Sequence, residues 1–274
     1  MDNAVYCSTG AFIGRINGRN HRLLLEYGGA LDCDGFEVMI FEDWYDHLGA
    51  VINDIRAGAA ACPVIHSDKS IGDTSDGADR QKTLDIWKMN CEFGAAIGAK
   101  RVVAHIWGYP DSDGDREYIY ERCGVLKDIA AGYNLDLLVE NVVCRYKNPL
   151  THLEALARIY PDIGFIIDTR HMQFHEEAGE LYRSHIWTDG NVRHIHINDY
   201  AGGYMNWDKL HPILQPGKGA VDFAALFRHL AASGYAGSLT LEAPSMLADG
   251  VDTATLNAGL GYIRRGLRAA GNRC

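Results

Sequence analysis

A regular alternation limits what this chain can fold into more than any other feature. Across 274 residues, eight short runs of strand composition are each followed by a stretch with apolar residues at helical spacing. The strand-like runs are Val5–Cys7, Gly35–Ile40, Pro63–His66, Arg101–Trp107, Asp136–Asn141, Ile163–Thr169, Val192–Asp199 and Gly237–Ala243. Helices are expected over His21–Asp32, from Asp43 to about Ala57, over Arg80–Ala99, near Glu117–Tyr133, from Asn148-Pro149 to Tyr160, around Glu176–Ile186, and over Phe223–Ser233 and Thr253–Ala270. Doubly wound sheets also alternate in this way, but eight even units favour closure into a (β/α)8 barrel, which typically needs about 250 residues. With no linker or low-complexity tract, residues 1–274 read as a single α/β domain of TIM-barrel type.

In such a barrel the chemistry sits at the C-terminal ends of the strands. Glu140 ends the fifth run, Asp168 the sixth, His196 lies late in the seventh and Glu242 in the eighth. Each follows apolar residues that cannot solvate a charge. Crowded carboxylates repel and raise one another's pKa values, a conflict that a divalent cation removes. An oxygen-rich set with one imidazole suits Mn²⁺, Mg²⁺ or Co²⁺ and also admits Zn²⁺. In Val192–Asp199 the side chains of His194, His196 and Asn198 share one face, and His196 is nearer the rim, so it is the ligand candidate and His194 lies a layer deeper.

Further polar residues converge on the same rim. His66 ends the third run, His105 lies late in the fourth and His171 follows Asp168 by three residues, a placement that suggests substrate hydroxyls or a second metal. Lys218, in the turn Pro216–Gly219, is a candidate contact to a substrate oxygen. Trp107, Tyr109, Tyr204 and Trp207, in the loops after the fourth and seventh runs, are candidates to stack on a substrate ring. Glu37 sits early in its strand and reads as structural.

The remaining composition excludes more than it selects. A net charge of -10 disfavours nucleic acid and anionic membranes as partners. No apolar run approaches membrane-spanning length, and the first residues lack the basic start and apolar core of a signal peptide, so a cytoplasmic location is expected. Seven cysteines without a C-x-x-C pair argue against a disulfide framework and a thiolate zinc site. There is no G-x-S-x-G elbow, no extended glycine-rich phosphate loop, and no second histidine after His175 to complete a zinc-protease helix.

The segments VEN, IIDTRH, HIHIND, PGKG and LTLEA, in that order, resemble the xylose-isomerase-like barrel superfamily of sugar isomerases, epimerases and endonuclease IV. That resemblance implies one divalent ion held by Glu140, Asp168, His196 and Glu242, with the two glutamates doubling as the acid–base pair and His171 contacting substrate. It implies a small carbohydrate as partner and is compatible with a homo-oligomer. The expected reaction is isomerisation or epimerisation of a sugar or polyol-derived keto compound through an enediolate. Two alternatives use the same site: a lyase or dehydratase acting on a keto-inositol or oxidised glycoside, and a zinc phosphoesterase of the endonuclease IV type. The run after His196 (Asn198, Asp199, Tyr200) lacks the Gly-Glu and arginine of ketose 3-epimerases. Asp208 and His211 are spaced one residue wider than the Asp-x-His pair of endonuclease IV.

Overall fold

Parallel neighbours cannot be joined by tight turns, so each strand-to-strand step in this chain carries a helix across the outside of the sheet. The computed structural model describes residues 2–58, 60–73, 79–108 and 113–271. Its strands are β1 (Val5–Ser8), β2 (Phe36–Met39), β3 (Val64–His66), β4 (Arg101–Ala104), β5 (Asp136–Glu140), β6 (Gly164–Asp168), β7 (Val192–Ile197) and β8 (Ser238–Leu241). They pair in chain order as a closed parallel barrel, with β8 returning to β1 through Val5–Leu239 and Cys7–Leu241.

Strand parity divides the two faces. Ile65, Val102, Val139, Ile167, Ile195 and Leu239 belong to the large core shared with the surrounding helices, while Val64, Val103, Leu138 and Ile166 form a separate small apolar cluster with Tyr6 packed against it. Two residues beyond these four along their strands come His66, His105, Glu140 and Asp168. A strand's side chains repeat with period two, so the residues that fill the barrel's inner layer aim the next same-parity residues at its C-terminal rim.

The helices start where capping chemistry allows. Asn148 accepts a hydrogen bond from the Thr151 N–H at 3.0 Å, with Pro149 in the first helical turn of Pro149–Ile159. Asp115 and Asp222 cap Arg116–Gly132 and Phe223–Ala232 in the same way.

Three local expectations change. The fourth strand stops at Ala104, so His105 and Trp107 lie in the connection after it. The single helix expected around Glu176–Ile186 is instead two short ones, Ala178–Leu181 and His185–Thr188, parted where Ser184 takes an extended backbone (ψ 145°), and the left-handed Glu176 (φ 52°) separates them from a further short helix, Thr169–Phe174. A small antiparallel pair, Met246–Leu247 with Gly250–Val251, follows β8. Among the described residues the cysteines are all free, and no helix is long and apolar enough to cross a membrane.

Candidate metal centre at the C-terminal rim

Glu140, Asp168, His196 and Glu242 come together, each offering a ligand atom within 4.8 Å of the others'. The first three are 0–2% exposed, and Glu242 lines a cleft of about 250 Å³ that also reaches His105 and His171. Burying carboxylates this close is costly unless cations or donors meet them.

The surroundings fix each ligand. Asn198 Nδ2 donates to Asp168 Oδ2 at 2.7 Å and the His171 N–H donates to Oδ1 at 2.8 Å, while Asn141 holds the Asp168 backbone through both its N–H and its carbonyl. His66 Nε2 and His105 Nε2 both reach Glu140 Oε2, at 3.2 and 2.8 Å. That leaves Glu140 Oε1 facing the centre, 3.5 Å from both His196 Nδ1 and His171 Nδ1. Glu242 Oε2 lies 3.1 Å from His196 Nδ1.

Glu37 sets the orientation of the histidine. It is fully buried, and its Oε1 accepts from His196 Nε2 at 2.9 Å while Oε2 accepts from His194 Nε2 at 2.9 Å and the Thr240 hydroxyl at 3.0 Å. A proton held on Nε2 by a carboxylate turns the Nδ1 lone pair toward the three rim carboxylates. His196 Nδ1 and His171 Nδ1 are both buried without a hydrogen-bond partner. An orphaned His196 nitrogen among the carboxylates of Glu140, Asp168 and Glu242 fits a divalent cation, and the donor set is of the mixed oxygen and imidazole kind such ions take.

The electrostatics agree with that fit. Burial would raise the Glu37 pKa, but His196 and His194 hold its carboxyl far below the usual range. Burial also opposes the shifts at Glu140 and Glu242, where His105 and His196 respectively hold the carboxyls low. Asp168 goes the other way. Burial, reinforced by Glu140 and Glu242 against the pull of Arg170, pushes it up to about 6.

Residues 27–266 match the family described as the xylose isomerase-like TIM barrel. The chain belongs to that family. The 3-dehydro-D-guloside 4-epimerase of Escherichia coli (strain K12) is 31% identical over 130 residues, 47% of this chain and 47% of that protein, so the match spans about half the length of this curated relative. The crystal structure of 3-keto-D-glucoside 4-epimerase from E. coli in its apo form superposes with a TM-score of 0.68 at 22% identity, covering 96% of this chain and 100% of that one. A structure of the IOLI protein with a bound zinc atom superposes with a TM-score of 0.70 at 13% identity, covering 98% of each chain. At these identities the two superpositions speak for the fold.

Within this xylose isomerase-like barrel, other residues singled out from the sequence lie elsewhere. Trp107 is fully buried. Its indole N–H donates to the Val142 carbonyl at 2.9 Å and its ring packs on His152, so no face is left for a sugar. Lys218 is exposed and does not line the cleft, because the Asp199 carboxylate accepts from the Gly217, Gly219 and Val221 N–H groups and pins the turn by its backbone. Trp207 packs on Phe174, Tyr204 is 62% exposed, and Tyr109 lies outside the described residues. Phe41, which the sequence did not bring forward, is the aromatic side chain lining the cleft among the described residues. Glu37 was read as structural from its early position; it lies below the rim, yet its side chain reaches the candidate ligand His196. Asn141 and Asn198 carried no signal beyond their same-strand proximity to Glu140 and His196.

Proposed function

We propose that this chain is a divalent-metal-dependent epimerase or isomerase acting on a keto sugar or oxidised glycoside. One observation carries the reading: Glu140, Asp168, His196 and Glu242 converge within 4.8 Å at the wall of an open cleft. The partial match to a 3-dehydro-D-guloside 4-epimerase supports the substrate class.

Glu140, Asp168, His196 and Glu242 would hold the ion, which supplies polarisation of the substrate carbonyl and adjacent hydroxyl and offsets the charge that develops there. The protein moves the protons. Glu242, whose ion-pair contact among the described residues is His196 and which lines the cleft, is the base that takes the proton from the carbon next to the carbonyl. The C–H electron pair passes into the carbonyl and gives an enediolate. Glu242 returns that proton to the neighbouring carbon for isomerisation; for inversion Glu242 keeps it, and Glu140 supplies one to the opposite face after drawing it from the imidazoles of His66 and His105 on its Oε2. Two carboxyl groups of different freedom suit a pair whose roles are unequal. His171, with its unpartnered Nδ1 at the cleft wall, is the substrate-hydroxyl contact, and His105 lines the cleft beside it.

A second reading has its own observation. His66, His105 and Glu140 form another group with ligand atoms within 4.8 Å, sharing Glu140 with the first. Cations held by both groups would favour hydrolysis of a phosphoester over proton transfer. Metal analysis separates the two. The epimerase reading expects about one ion per chain, activity lost on chelation and restored by Mn²⁺, Co²⁺ or Zn²⁺. Full activity in metal-stripped protein overturns it, and two tightly held ions with phosphoesterase activity favour the other.

A further inference from the structure

We infer that the mouth of the barrel binds an anionic group on the sugar, a carboxylate or a phosphate ester, through Arg15, Arg19 and Lys69. The inference rests on the sugar-epimerase reading and adds the charge carried by the end of the substrate remote from the reacting carbons.

The chain as a whole has 36 acidic residues against 26 basic ones. Among the described residues lining the cleft that balance is inverted, with Arg15, Arg19, Lys69 and Arg170 against Glu140 and Glu242, and with Asp43 behind Arg19. Both glutamates face the candidate ion position. An ion there would compensate the deep end and leave the outer part positive.

Cations in an acidic site often serve only to neutralise it, but these do not pair with the rim carboxylates. The ion-pair partners of Glu140 and Glu242 are histidines. Arg170 is committed, with Nη1 donating to the Leu210 carbonyl and Nη2 within 2.9 Å of His171 Nε2, so it contributes field more than contact. Arg15 and Lys69 are exposed, and neither head group is hydrogen-bonded or ion-paired to another described residue.

Arg19 is held by a purpose-built turn. Asn17 Oδ1 accepts from the Gly14 N–H at 2.9 Å, Asn17 Nδ2 donates to the Phe12 carbonyl at 2.7 Å, and the Arg19 N–H closes on the Gly14 carbonyl at 2.8 Å. The residue takes a left-handed backbone (φ 51°), rare for anything but glycine, and its carbonyl accepts from Trp44 Nε1 at 2.8 Å. The guanidinium lies over the Phe41 ring at 5.1 Å and pairs through Nη1 with Asp43, whose side chain is 60% exposed. Its Nε is buried and has no hydrogen-bond partner. An aromatic shelf, a carboxylate on one nitrogen and a dry unmatched donor make an oriented guanidinium with capacity to spare, the form in which Arg recognises carboxylate and phosphate. Lys69, from the loop after β3, supplies a second charge from a separate element.

The test is titration calorimetry of Mn²⁺-loaded protein at low ionic strength with D-glucuronate, D-glucose 6-phosphate and D-glucose. At least one anionic probe should bind about tenfold or more tighter than glucose, a gain that one or two charge-assisted contacts supply. Which anion binds better tells carboxylate from phosphate. The preference should shrink as salt is added and fall to about threefold or less in the Arg15→Gln/Lys69→Gln double variant, which keeps only Arg19 of the three, while Lys88→Gln, on the outer helix Arg80–Ile97, leaves it unchanged. Because Arg15 and Lys69 are exposed, the double variant is expected to fold, and circular dichroism verifies that. A wild-type preference below about tenfold, or one that stays above about threefold in the double variant, overturns the inference. Hydrogen exchange on a neutral keto sugar reads the epimerase chemistry separately: exchange without anion preference removes only this inference, and anion preference without exchange removes only the reaction.

Discussion

Replacing Glu37 by Gln perturbs the candidate metal centre without touching a rim residue. The carboxylate accepts three hydrogen bonds, from His196, His194 and Thr240, at 2.9, 2.9 and 3.0 Å. Gln keeps the shape and one acceptor oxygen, which can stay on His196 Nε2. Its amide nitrogen then faces His194 Nε2 and the Thr240 hydroxyl. Both can adapt, since Thr240 can rotate its proton and His194 can donate instead through Nδ1 to the Ser238 hydroxyl it already contacts. The apo fold should therefore lose no more than about one net hydrogen bond, roughly 1–2 kcal/mol, or a few degrees in melting temperature. The negative charge behind His196 is nonetheless gone, and the ring becomes a poorer donor. Loss of such a supporting partner costs about 10–100-fold in metal affinity, roughly 1.4–2.7 kcal/mol. Competition titration of Mn²⁺ or Zn²⁺ against a chelator reads this directly, with circular dichroism establishing that the barrel is intact. A folded Glu37→Gln protein that binds metal within about twofold of wild type would refute the role assigned to Glu37.

Three more outcomes follow from the structure. Glu177 is buried, which pushes its carboxyl up to about 8, so it is neutral in the fold at pH 7 but ionised when unfolded. The unfolded state thus binds fewer protons, stability falls as pH rises from about 4.5 to about 8, and Glu177→Gln should melt several degrees above wild type at pH 8 while the two nearly coincide at pH 4.5; equal melting temperatures at pH 8 would contradict this. A Cβ on Gly219 would meet the Tyr200 carbonyl and Asp199 Oδ1, so Gly219→Ala should displace the turn pinned by Asp199 and cost about 2 kcal/mol or more in denaturant unfolding, with an unchanged midpoint as the contrary result. Asn198→Ala removes the 2.7 Å donor to Asp168 Oδ2 and should weaken metal binding about tenfold or more by the same titration, whereas unaltered binding would show that Asp168 holds its place without it.

The barrel was legible because its signal is periodic and repeated. Eight apolar runs alternating with helical spacing fix closure and parity together, and parity is what carries Glu140, Asp168 and His196 to one rim. Local breaks were not legible. Nothing in the composition signals the extended Ser184, so Ala178–Leu181 and His185–Thr188 read as one helix. Trp107 and Lys218 failed for a common reason: position after a strand gives the rim but not the direction of the side chain. Trp107 found a buried carbonyl, and Lys218 sits on a turn held by its backbone. Position alone did not show what Glu37 touches, since a residue low in one strand can reach across a narrow barrel to His196 on another. The cations of the cleft were invisible for a similar reason, because Arg15 and Arg19 come from the connection after β1 and Lys69 from the loop after β3.

The most direct measurement of the central claim follows the proton itself. Mn²⁺-loaded protein is incubated in D₂O with a 3-keto-glucoside or a ketohexose, and deuterium entering the carbon next to the carbonyl is followed by NMR, beside metal content. The account predicts metal-dependent incorporation that falls by about 10²–10⁴-fold in Glu242→Gln protein retaining its metal, the range general acid–base catalysis supplies. Incorporation that persists in metal-stripped protein, or at the wild-type rate in metal-loaded Glu242→Gln, would contradict it.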